Sequence, residues 1–194
     1  MLSTHTSDAR RALPASVDSA ERVPWVANGI AAGTLGAACV AAFFLLVDTV
    51  MGRPFWTPHA LGSVLFRGEV PSGFEKPELL LVLAYTAVHV TIYIGFATPA
   101  AFWALARLPS SRGRGRVALL AAALFLASEA VFLSLGQLFA PALLGMLTVG
   151  RVATANALAA LAMSGLLFAQ VRRRGTHRNR PPRVRADAPR PESL

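Results

Sequence analysis

Four long runs of apolar residues alternate with shorter polar segments along the chain. They cover about residues 25–51, 79–105, 117–139 and 147–171. Each run is at least as long as the roughly 20 residues that a helix needs to cross the hydrocarbon core of a bilayer. In lipid a spanning segment must satisfy its own backbone hydrogen bonds, so each run is expected to be an α-helix. The pattern predicts an all-α membrane protein, in which residues 24–171 form a bundle of four transmembrane helices.

The connection 52–78 is predicted to hold one short helix. Its four prolines exclude a single continuous helix across the loop. Thr57 followed by Pro58 has the pattern of an N-cap and a first helical residue, and Gly68 is placed to end the helix. This helix is too short to cross the membrane. We therefore expect it to lie at the membrane surface, with Trp56 at the level of the lipid headgroups.

The charged residues predict the orientation of the bundle. Of the 19 lysine and arginine residues, fifteen lie in residues 1–23, 107–116 and 172–194, and the other four lie on the opposite side. The positive-inside rule places the larger group, and therefore both termini, in the cytoplasm. The arginine-rich composition favours a bacterial inner membrane. Both terminal segments, 1–23 and 172–194, are predicted to be disordered tails. We expect the basic C-terminal tail to contact anionic lipid rather than nucleic acid.

Small residues recur every four positions on the first span, at Gly29, Gly33, Ala37 and Ala41. Such a stripe allows another helix to approach closely. The second helix can come from the same chain or from another copy, so the stripe also predicts a surface for a homo-oligomer.

Several polar residues lie inside the predicted spans, where each is costly to bury. Counting about 1.5 Å per residue places His89, Glu129 and Asn156 at a similar depth. Tyr85 and Tyr93 share a helix face with His89. A histidine and a carboxylate at one depth can share a proton, hold a metal ion or haem, or bind the polar head of a ligand. The alternative is a hydrogen-bonded group that only holds helices together.

A second polar group is predicted at the outer end of the bundle. Asp48 ends the first span, Arg53 follows it, and Arg151 begins the fourth span. We expect Asp48 to pair with one of these arginines and to orient the loop. In the alternative hypothesis the three residues form an outward-facing cup for a polar or anionic ligand.

The order of residues from 48 to 62, D-x-x-x-G-R-P-x-x-T-P-x-x-L-G, resembles a group of small uncharacterised bacterial four-helix membrane proteins. The resemblance covers about residues 25–170 and implies the same four-helix fold but no activity. The chain contains no H-E-x-x-H or G-x-S-x-G motif and a single cysteine. No cofactor is therefore predicted, although metal or haem at His89 stays open.

Three functions are compatible with these features. The first is a non-enzymatic membrane component that binds a partner or a small ligand through its outer half. The second is a small oligomeric transporter, or proton-linked carrier, that uses His89 and Glu129. The third is a redox accessory that carries a metal or haem.

Overall fold

A computed structural model describes residues 24–73, 75–107, 113–139 and 147–178. These residues form five helices: α1 (Pro24–Val50), α2 (Trp56–Arg67), α3 (Leu79–Arg107), α4 (Gly113–Phe139) and α5 (Val149–Arg178). All except α2 are long and apolar enough to cross a membrane. The predicted all-α fold with four spans is confirmed, and the bounds agree within a few residues. One boundary is wrong, since α5 continues through residues 172–178, which were assigned to the tail.

The loop helix α2 begins earlier than predicted. Phe55, in the left-handed conformation with φ of 65°, takes the capping position, and Thr57 is the second residue of the helix. Gly68 ends α2 as expected, with φ of 72° and its N–H donated to the carbonyl of Val64. Trp56 is 6% exposed. Its ring therefore packs against protein, with the Arg53 guanidinium 4.7 Å from the ring centre, and its level relative to the headgroups stays a prediction.

Helix α1 lies at the centre of the bundle and packs against α3 and α5, while α4 packs mainly against α5. The close approach of α1 to α3 depends on the predicted glycine stripe. A Cβ atom at Gly33 would lie 2.5 Å from the Cα of Ile94, and one at Gly29 would lie 2.6 Å from the Cα of Thr98. The surface at these two glycines is thus covered by α3 of the same chain. A homo-oligomer, which stays a prediction, would need a different surface.

The outside of the bundle is rich in large apolar side chains. Leu46, Leu80, Leu126, Leu138 and Leu161 are all more than 60% exposed. A soluble protein rarely exposes so much apolar surface without a partner. On helices of this length, such a surface suits contact with lipid chains.

Candidate functional site

A cavity of about 620 Å³ lies at the end of the bundle that carries α2, and all five helices contribute to its wall. Most of the lining is apolar and includes Phe44, Leu61 and Phe132. Its polar groups come chiefly from α3. No charged side chain is among the described residues that line it. A large apolar cavity with a few polar groups is the usual form of a small-molecule site.

Three side chains from three helices form a hydrogen-bonded chain beside this cavity. The hydroxyl of Tyr93 donates to Oδ1 of Asn156 at 2.6 Å, and Nδ2 of Asn156 donates to Oε1 of Glu129 at 2.7 Å. Tyr93 and Asn156 are buried and line the cavity, whereas Glu129 is partly exposed and lies outside the lining. Of the predicted polar layer, Glu129 and Asn156 are therefore joined, together with Tyr93, and Asn156 is the central residue of this chain.

His89 lies among aromatic rings and does not pair with Glu129. Its ring is stacked on Tyr85, with centres 5.7 Å apart, and is tilted against Tyr93 at 4.8 Å. No hydrogen bond or ion pair joins it to Glu129 in the described part of the chain, so the expected proton-sharing pair is not formed. Its Nε2 atom is buried without a hydrogen-bond partner.

Tyr85 differs from the other hydroxyl-bearing residues of the cavity because its hydroxyl makes no hydrogen bond within the described residues. The hydroxyl groups of Tyr93, Thr57 and Ser128 all have protein partners. Beside the unpartnered Nε2 of His89, the Tyr85 hydroxyl is therefore a group on the cavity wall that is free to donate a hydrogen bond to a ligand.

The predicted pair of Asp48 with Arg53 or Arg151 is wrong, and because Asp48 is 4% exposed it is not open to a ligand as the alternative, an outer cup, requires. Its two carboxylate oxygens accept the backbone N–H and the hydroxyl of Thr57, both at 2.7 Å. Asp48 thereby serves as a remote cap for the first turn of α2, where a negative charge is also favoured by the helix dipole. The Arg53 guanidinium instead donates to the carbonyl of Gly73, and that of Arg151 lies 3.4 Å from the sulfur of Met51.

His59 is a structural residue that the sequence did not reveal. It is 1% exposed, and its Nδ1 accepts the backbone N–H of Glu78 at 3.1 Å. The carboxylate of Glu78 forms a two-point ion pair with Arg67, with distances of 2.8 and 2.6 Å. The hydrogen bond from Arg67 holds the pKa of Glu78 below its ordinary value. These contacts join both ends of the loop helix to the start of α3. The sequence around a single histidine in a loop does not indicate that the side chain is buried.

The residues described here contain no group of three or more His, Cys, Asp or Glu side chains that could hold a metal ion. The architecture and the apolar spans define the class of the protein as a multi-pass α-helical membrane protein. No protein-family model, curated protein or solved structure matches the chain.

Proposed function

We propose that the protein is a non-enzymatic membrane component that binds a small, uncharged amphipathic ligand in the cavity at the α2 end. The observation that carries this proposal is the composition of the wall, which is largely apolar with a few polar groups and no Asp, Glu, Lys or Arg side chain among its described residues. An apolar wall stabilises the bound apolar part of a ligand, relative to water, by about 25 cal/mol per Å² of apolar surface buried. Burying an unpaired ion there would be strongly unfavourable.

Tyr85 is the proposed anchor for the polar end of the ligand. Its free hydroxyl lies on α3 one turn from His89, whose ring is stacked against it. One net hydrogen bond contributes about 0.5–1.5 kcal/mol. The change Tyr85→Phe keeps the ring and removes the hydroxyl, so it should weaken binding roughly 2- to 10-fold.

The proposal is tested by photolabelling the protein in phosphatidylcholine nanodiscs with a diazirine derivative of geraniol, an uncharged short-chain alcohol. Labelling should be saturable, and unlabelled geraniol should compete with it. Ala41 lines the cavity, and Ala41→Phe should reduce labelling about tenfold or more by filling it. Ala31 is exposed on the same helix and does not line the cavity, so Ala31→Phe is the matched control. Labelling that does not saturate, or that is equal in both variants, would refute the proposal.

A proton-linked carrier is the second candidate, and the position of Glu129 favours it. This carboxyl group is only partly buried on a spanning helix and is held by Asn156 alone among the described hydrogen bonds. Ionisable groups at such depth commonly belong to ion or proton pathways. A pH gradient across liposomes should then dissipate faster with the protein than without it, and Glu129→Gln should abolish the difference. An unchanged flux in Glu129→Gln would remove this candidate.

We further infer that the α2 end faces away from the cytoplasm in a bacterial inner membrane. The inference rests on the fifteen basic residues of the two tails and the α3–α4 connection. The ligand would then enter from the outer leaflet or from the outside. The same arginine-rich C-terminal segment is proposed to contact anionic headgroups on the cytoplasmic face.

A further inference from the structure

A second cavity, of about 410 Å³, lies between α3 and α4 toward the end of the bundle opposite α2. Every described residue that lines it is apolar, including Pro99 and Trp103 from α3 and Leu119 and Ala123 from α4. Both helices are long and apolar enough to cross a membrane, so this groove lies at the depth of lipid chains. Its described side chains offer no hydrogen bond to a polar ligand, so the groove suits an apolar chain.

One side chain belongs to both cavities. Phe96 lines the large cavity at the α2 end and also the groove between α3 and α4. It is only partly buried, and its ring packs edge-on against Tyr93 with centres 6.3 Å apart. Helices α3 and α4 pack against each other much less than α1 packs against α3. The two cavities therefore follow one another along a loosely packed seam, with a single aromatic ring at their junction.

The length of this seam limits the kind of ligand that would occupy all of it. Eighteen residues of α3 separate Tyr85 from Trp103, which corresponds to about 27 Å at 1.5 Å per residue. The hydrocarbon core of a bilayer is about 30 Å thick, so a chain from one leaflet covers about 15 Å. A ligand whose polar end is at Tyr85 would need a chain longer than one leaflet to reach Trp103.

We infer that the ligand is a neutral lipid with one long apolar chain, which runs from the cavity at the α2 end past Phe96 into the groove between α3 and α4. This inference rests on the proposed function, because it names the class of molecule that the same cavity binds. The polar end lies at Tyr85, and the far end of the chain contacts Trp103 and Ala123. The loosely packed seam lets such a chain enter sideways from the bilayer.

The test compares two uncharged alcohols that differ only in chain length. Geraniol and hexaprenol, whose extended chain is about as long as the seam, compete with the geraniol photolabel in the same nanodisc preparation. At equal concentration in the bilayer, the longer chain makes packing contacts in the groove that geraniol cannot make, so hexaprenol should compete at least about tenfold better with the wild-type protein. Ala123→Phe fills the groove and should reduce this preference toward that of geraniol. Ala122→Phe is the matched control, since Ala122 is exposed on the same helix and lines neither cavity.

The outcomes separate this inference from the proposed function. Absence of saturable geraniol labelling in the wild-type protein would overturn both. Normal geraniol labelling with equal competition by the two alcohols would overturn only the long-chain inference, as would a preference that survives Ala123→Phe. Retained geraniol labelling shows that a variant is folded. If Ala123→Phe abolishes geraniol labelling, the smaller change Ala123→Leu is tested in its place. If Ala123→Leu also abolishes geraniol labelling, the groove does not act separately from the large cavity, and the long-chain inference is overturned.

Discussion

Replacing Gly33 by alanine adds one methyl group where α1 lies closest to α3. The new Cβ atom would lie 2.5 Å from the Cα and 2.6 Å from the nitrogen of Ile94, and 2.7 Å from the carbonyl oxygen of Tyr93. All three are backbone atoms, so no side chain can rotate away. The helices must separate instead. Added volume at a close-packed contact typically costs about 1–3 kcal/mol.

The helical preference of alanine opposes this cost. Glycine in a helix interior is less stable than alanine by roughly 0.5–1 kcal/mol. The expected net loss for Gly33→Ala is therefore up to about 2.5 kcal/mol of unfolding free energy, toward the upper end because the three contacts are all with backbone atoms. Gly165 on α5 is the matched control, because a Cβ atom there would meet nothing within 4 Å. Gly165→Ala should be neutral or stabilising by up to about 1 kcal/mol.

The assay is reversible unfolding in mixed micelles titrated with sodium dodecyl sulfate, followed by circular dichroism. Gly33→Ala should unfold at a lower detergent fraction than the wild-type protein, and Gly165→Ala at an equal or higher one. If both variants are at least as stable as the wild type, α1 and α3 do not pack as closely as described. The conclusion that α3 of the same chain covers the glycine stripe of α1 would then be wrong.

Three further predictions follow from the loop and the termini. Asp48→Ala removes the acceptor of both Thr57 hydrogen bonds and should lower the stability of α2 by about 1–3 kcal/mol. Asp48→Asn should lower it less, because one acceptor oxygen remains. Amide hydrogen exchange in α2 measures the effect of both variants. The lowered pKa of Glu78 means that its ion pair stabilises the folded loop above the ordinary glutamate pKa, and that this contribution disappears as pH falls through the lowered value. The protection factors of the α2 amides, which correct for the slower intrinsic exchange in acid, should therefore fall as pH falls, and Arg67→Gln should reduce that fall. A reporter fused after Leu194 should be active only in the cytoplasm, and activity outside would reverse the orientation.

The apolar spans could be predicted from the sequence because the membrane leaves the backbone few choices. A long apolar run in lipid must be helical, so length and composition alone place α1, α3, α4 and α5 within a few residues. The end of α5 is the exception, since a helix can continue into water through residues 172–178, where hydropathy gives no signal. The glycine stripe likewise predicted a close helix contact, but its partner, α3, depends on packing order.

The candidate site was predicted less completely, because hydropathy fixes depth and not the rotation of a helix about its axis. Depth correctly grouped Glu129 and Asn156, and the structure joins them. The same estimate of depth predicted that His89 pairs with Glu129. In the structure Asn156 contacts Glu129 instead, because its amide donates to Glu129 and accepts from Tyr93. Asp48 illustrates a related limit. Opposite charge predicted an arginine partner, whereas a backbone N–H and a hydroxyl nine residues away satisfy both oxygens.

The distribution of charge within the bundle bears on the choice between ligand classes. The side chains of Asp48, Arg67 and Glu78 hold α2 in place, and none of them lines the large cavity. An anionic or cationic ligand would therefore lose its hydration without gaining an opposite charge. An uncharged ligand loses little, and a single donor such as Tyr85 is enough to satisfy its polar end. A cavity with this lining therefore favours neutral molecules under the proposed function, which is why short and long neutral alcohols are the decisive probes.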